Sequence, residues 1–117
     1  MTISDKYENE LLKTIKEKGK YVQLHKGNPG EAGTSNVCTE SKRKEITWNE
    51  PSSGSMSSSN AQQWTNVSTT EEVTHISIWT AAEGGDHVTY GALEEARSLT
   101  AGENFELPAG EVIQTID

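Results

Sequence analysis

Val73-Thr74-His75-Ile76-Ser77-Ile78-Trp79-Thr80, then Ala81-Ala82-Glu83-Gly84-Gly85-Asp86, then His87-Val88-Thr89-Tyr90-Gly91-Ala92 is the stretch that decides the fold. In its first part the side chains alternate. Val73, His75, Ser77 and Trp79 point one way, and Thr74, Ile76, Ile78 and Thr80 point the other. Both sets contain apolar residues, so residues 73–80 predict a strand in the interior of a sheet. Gly84-Gly85 supplies the positive φ that a right-twisted hairpin demands, and residues 87–92 return as the partner strand.

The same alternation extends in both directions. Downstream, residues 99–104 form a turn, and Phe105 and Leu107 make a short strand that ends at Pro108-Ala109-Gly110. Residues 112–116 close the chain as a last strand. Upstream, residues 21–25 alternate as a strand, and short strand patterns recur at 37–39 and 44–48. Ile46 and Trp48 share a face there, and Pro51 ends the run. Residues 62–67 form a further short strand anchored by Trp64. The Ser-rich run 52–60 is small and polar and predicts a mobile loop. Residues 27–36 hold three glycines, Pro29 and several other turn formers. They predict a loop long enough to be a candidate functional surface.

Before the strands, residues 4–18 read as a helix. Tyr7, Leu11, Leu12 and Ile15 recur at three- and four-residue spacing and make one apolar stripe. Asp5 and Glu8 suit the positive end of its dipole, Lys16 and Lys18 the negative end, and Gly19 is a natural stop. A helix this short must dock, either on its own domain or on a neighbouring subunit. The fold class is therefore mainly β: an antiparallel β-sandwich or jelly-roll-like barrel of about seven short strands with one N-terminal α-helix. One domain over residues 1–117 is expected, with the helix at 4–18 and the sandwich at 20–117.

Composition narrows the function. The chain has 117 residues, of which 32% are hydrophobic, and 18 acidic against 10 basic residues give it a net charge of −8. That leaves one modest core, filled by three Trp, three Tyr and one Phe. A polyanion is repelled by this charge, so nucleic acid is not an expected partner. Lys42-Arg43-Lys44, the one basic run, reads as a solvated strand face. No stretch approaches the roughly 20 apolar residues of a membrane-spanning helix, and the start MTISDKYENELLK lacks the pattern of a signal peptide. No membrane partner is expected.

The search for catalytic chemistry returns little. Cys38 is the sole cysteine, so it cannot form an intramolecular disulfide, and it reads as a small buried residue. His25, His75 and His87 show no metal-ligand spacing and read as hydrogen-bonded structural residues. His75 and His87 would approach each other only if their strands pair in the right register. The acidic pairs Glu71-Glu72 and Glu94-Glu95 fall at turns or alternate faces, not in a cleft that would shift their pKa values. No phosphate-binding glycine pattern and no nucleophile elbow is present. No cofactor, no metal and no enzymatic activity are expected.

The runs ENELLKTI, YVQLHKGNPGEAGTSNV, VTHISIWTAAEGGDHVTYGAL and LTAGENFELPAGEVIQTID together resemble a family of small tailed-phage virion surface proteins, phage tail fibre or head decoration-like. The resemblance covers about residues 5–117 and is carried by Tyr21, Leu24, His25, Pro29, Gly30, His75, Trp79, Gly84, Gly85, Tyr90, Gly91, Leu93, Gly102 and Phe105. The chain departs from the family pattern at Lys26-Gly27-Asn28 and at Thr80, where relatives tend to carry Thr-Ala-Asp and Asp.

The resemblance implies a non-enzymatic structural protein of the virion. The first expectation is a capsid decoration, or cement, protein on the outer head surface. It would contact the major capsid protein or other virion proteins as a homo-oligomer, with a trimer favoured. The alternative is a tail or tail-fibre component that recognises the host surface, with Trp48, Trp64 or Tyr21 stacking on glycan rings. The expected partner contacts are Tyr7, Leu11 and Ile15 on the helix and Asn28, Pro29 and Glu31 on the 27–36 loop.

Overall fold

The structure, a computed structural model, describes residues 1–116. One helix, α1 (Asp5–Lys18), precedes eight strands: β1 (Tyr21–His25), β2 (Lys44–Glu45), β3 (Ser55–Ser57), β4 (Gln62–Trp64), β5 (Glu71–Trp79), β6 (His87–Leu99), β7 (Phe105–Leu107) and β8 (Ile113–Thr115). They form a four-stranded sheet in the order β2-β1-β5-β6 and two small sheets, β3-β8 and β4-β7. Every pairing between these strands is antiparallel. The architecture is sandwich-like and not a closed barrel.

β5 lies between β1 and β6, the interior position expected from apolar residues on both its faces. In the register Val22↔Ile78 and Leu24↔Ile76, four aliphatic side chains gather on one face. They share a single core cluster with Met56, Trp48 and Val112 and with Trp64, Phe105 and Leu107 of the small sheets. The other face carries Gln23↔Ser77 and His25↔His75 and is polar. His75 pairs with Ala92 and His87 with Trp79, so the register sets the two histidines well apart on the β5–β6 hairpin.

α1 starts at Ser4 and stops at Gly19. Gly19 is not in the left-handed region, since its φ is −83°. It is needed for space, because a Cβ there would lie 2.7 Å from Ile78 Cγ2 and 2.9 Å from the Ile15 carbonyl oxygen. The apolar stripe read from the sequence is split. Leu12 is buried and Ile15 half-buried, but Tyr7 and Leu11 are 57% and 47% exposed. Glu8 turns inward in their place, and a Cβ on Gly54 would lie 3.0 Å from its carboxylate. The helix therefore rests on the line Glu8, Leu12, Ile15 and Gly19.

The Ser-rich run also differs from expectation. Residues 55–57 form β3 and pair with β8, Met56 enters the core, and Ser58 is buried. Residues 37–39 shrink to an isolated bridge between Val37 and His25.

Candidate functional site

The polar face of the four-stranded sheet is where the chain departs from ordinary packing. Polar groups there need partners, because an unpaired buried donor or acceptor costs about 1–3 kcal/mol. Residues 26–43 supply those partners from above. Gln23 Nε2 donates to the Ser41 carbonyl at 3.0 Å. His25 Nδ1 lies 2.8 Å from the Ser35 carbonyl oxygen, and its Nε2 lies 2.6 Å from Ser77 Oγ. Trp79 Nε1 lies 2.7 Å from the same Ser77 oxygen.

A carbonyl can only accept, which places the His25 proton on Nδ1. Nε2 then accepts from the Ser77 hydroxyl, whose oxygen accepts from the Trp79 indole N–H. Every group in this buried chain is satisfied, and only with His25 neutral. Burial acts the same way, holding the imidazole below its ordinary pKa.

A second anchor lies one strand further across. His87 Nδ1 donates to the Glu31 carbonyl at 2.9 Å. Its ring sits 5.1 Å from that of Trp79 and 5.5 Å from that of Tyr90, centroid to centroid. Arg43 completes the row with its guanidinium 3.9 Å from the Trp79 ring centroid. The same guanidinium donates to the Ala81 and Gly84 carbonyls and so ties down the hairpin tip. The basic run is thus not simply solvated, since Arg43 is half-buried and structural. His87 Nε2 is buried without a hydrogen-bond partner, which makes His87 the weaker of the two histidine anchors.

These contacts stretch the 27–36 loop from β1 towards β6 over the polar face. Within the loop, Gly33 N–H donates to the Gly30 carbonyl and Ser35 N–H to the Pro29 carbonyl. Asn36 Nδ2 donates to the Asn28 carbonyl. Gly33 has φ +72°, and a Cβ there would lie 2.7 Å from the His87 ring. Replacing Gly33 by Ala is expected to cost about 1–3 kcal/mol from the left-handed backbone, and to lift the loop from His87. Thermal unfolding and amide hydrogen exchange of residues 30–36 measure the two effects. An unchanged melting temperature with unchanged protection would contradict this.

The expected contact residues are distributed unevenly. Asn28 and Glu31 are exposed on the outer side of the loop, whereas Pro29 is fully buried beneath it. Tyr7 and Leu11 are exposed on α1, and Ile15 is half-buried. The helix packs against β3, and the loop is held to β6 through His87. Trp48 and Trp64 are core residues, 5% and 1% exposed, and their indole N–H groups donate to the Gly19 and Lys42 carbonyls. Neither offers a face to a sugar ring, and Tyr21 is half-buried. The sequence marked His25 and His87 as hydrogen-bonded structural residues, but not Ser77, Trp79 and Arg43 as anchors. The available signal was the alternation itself, which placed His75, Ser77 and Trp79 on one face of a central strand.

Among the described residues no group of three or more His, Cys, Asp or Glu is arranged to hold a metal ion, and no helix is long and apolar enough to cross a membrane. Burial pushes the Cys38 thiol up to about 11, with the Glu71 carboxylate acting in the same direction, so the thiolate is scarce at neutral pH.

The fold and this surface define a small β-rich domain in which an irregular loop is fastened over one face of a sheet by its backbone. The chain belongs to the family described as Podophage GP4 fiber I protein gp80, whose model matches residues 2–115. It is thus a member of a phage fibre protein family, in keeping with the virion surface class that its sequence resembles. Comparison with curated proteins gives no match. The family shifts the weight from the capsid exterior, the first expectation from sequence, to the fibre.

Proposed function

We propose that the chain is a non-enzymatic structural component of a phage tail fibre that presents the 27–36 loop and the β5–β6 hairpin tip towards the host surface. The family match over residues 2–115 carries this reading. The geometry supports it, because a loop held at two distant points by His25 and His87 is ordered before it meets a partner. Pre-ordering reduces the entropy lost on binding. Many copies on one particle then convert weak single contacts into firm attachment. Its partners are other virion proteins and the host surface, not nucleic acid, which a net charge of −8 repels.

Cryo-electron microscopy of virions labelled through an epitope on this chain tests the reading. Density on the tail fibres is the expected result. Density on the head shell would overturn it and return the protein to capsid decoration.

A further inference from the structure

The four-stranded sheet has two edges, and they are treated differently. At one edge β2 is two residues long and charged, Lys44 and Glu45, directly after Lys42 and Arg43. Short charged edges of this kind resist pairing with other chains. At the other edge stands β6, 13 residues long, paired with β5 on one side and with no other strand among the described residues. Residues 87–93, His-Val-Thr-Tyr-Gly-Ala-Leu, contain no Asp, Glu, Lys or Arg. A long, uncharged, exposed edge is a template for another strand.

We propose that the free edge of β6 over residues 88–92 pairs antiparallel with the same edge of a second copy of this chain, across a two-fold axis at Tyr90. A strand paired with itself in this way forms an isologous contact that closes after two copies. Charge favours this site. Two copies of net charge −8 repel, and residues 87–93 let backbones meet without adding a like-charge pair. The edge also limits its own pairing. Val73 pairs with Arg97 and His75 with Ala92, so Leu93 to Ala96 bulge opposite Thr74 alone. That bulge carries Glu94 and Glu95, and it stops the ladder just beyond Ala92.

The surroundings need covering at the same place. Tyr90 is 39% exposed on the polar face. On the opposite face an open groove of 390 Å³ runs between β6 and β8. Trp48, Ile76, Ile78 and Val112 line it, and Ile113 stands 56% exposed beside them. Gly91 and Thr89 share the face of Ile76 and Ile78, so the second copy's edge would cover the open side of this groove. A contact of about five paired residues is small and gives a reversible dimer, which the crowding of copies on a particle would favour. The proposal stands apart from the fibre reading, since labelling reads location and the following experiment reads self-association.

Gly91 provides the test. A Cβ there meets nothing within 4 Å, and its φ is not positive, so a side chain fits the single chain without strain. Sedimentation equilibrium of the full chain should show a monomer–dimer equilibrium that tightens with salt, as repulsion is screened. Gly91→Glu and Gly91→Lys should each weaken the dimer at least about tenfold while leaving the circular dichroism and the melting temperature of the monomer unchanged. An equimolar mixture of the two should restore association, because opposite charges then lie diagonally across the axis, each opposite the other copy's Thr89 and within reach for long side chains. A wild-type chain that stays monomeric up to millimolar concentration, a trimer, or a dimer indifferent to Gly91→Glu would each overturn the proposal.

Discussion

Replacing Trp64 by Ala is expected to remove about 3–5 kcal/mol of stability. Domains of this size have about 5–15 kcal/mol in total, so this one change should leave the protein near its unfolding threshold. The magnitude has three sources. The indole is essentially sealed from solvent and its removal leaves a large cavity. Its N–H satisfies the Lys42 carbonyl at 2.8 Å, which would be left without that donor. Its ring lies 5.8 Å from that of Phe105 at the pairing of β4 with β7, so a two-stranded sheet loses its main side-chain contact. Trp64→Phe separates these sources, since it keeps most of the volume and removes only the hydrogen bond. It should cost about 1–2 kcal/mol. Chemical denaturation of both variants checks the ranking, and a loss below about 1.5 kcal/mol for the Ala variant would show that the β4–β7 layer is dispensable.

His25→Ala is the second large effect, about 3 kcal/mol, because the Ser35 carbonyl loses its side-chain donor and the buried Ser77 hydroxyl hydrogen its acceptor, and the imidazole leaves a cavity. The same residue makes stability depend on pH. In the unfolded chain the imidazole takes up a proton near its ordinary pKa of about 6.5. In the folded chain burial delays that uptake to lower pH, and a proton on Nε2 would take away the acceptor of the Ser77 hydroxyl hydrogen. The His25 contribution is therefore complete above about pH 6.5 and is lost as pH falls from there through the folded-state value. Urea unfolding between pH 7.5 and 5 should show stability declining on acidification, with a shallower decline in His25→Ala. Identical slopes in the two proteins would refute a neutral, buried His25. Glu71 adds an acid-labile contribution at lower pH. Burial raises its pKa, but hydrogen bonds from Thr69 and Thr39 and the charge of Lys26 outweigh that and leave it lowered.

The sequence reveals elements wherever local pattern and local pairing coincide. β1 was legible to the residue from the alternation of Tyr21 to His25. The β5–β6 hairpin was legible from the alternation of β5 and from Gly84 and Gly85, whose φ values are +62° and +71°. β3 was hidden because its register is set by β8, nearly 60 residues away, and serines bear no apolar pattern. Met56 was the one hint. β6 was legible to Ala92 but not beyond the bulge, where Glu94, Glu95 and Ala96 have little strand preference. On α1 periodicity identified the helix but not its buried side, since Tyr7 and Leu12 fit the stripe equally well and only tertiary packing chooses between them. The 27–36 loop could be recognised as a surface from composition. Its anchors could not, because they join β1, β5 and β6 to a segment with no regular structure.

The two histidines that fasten that loop grip main-chain oxygens, at Ser35 and Glu31, and main-chain oxygens are the same in every amino acid. The fastening is therefore blind to what the loop spells. Pro29 beneath it and Gly33 against His87 are tied to their places, but Glu31, Ala32, Thr34 and Ser35 turn outward. A lineage under pressure to change what it touches could exchange those four letters freely and inherit the mounting intact.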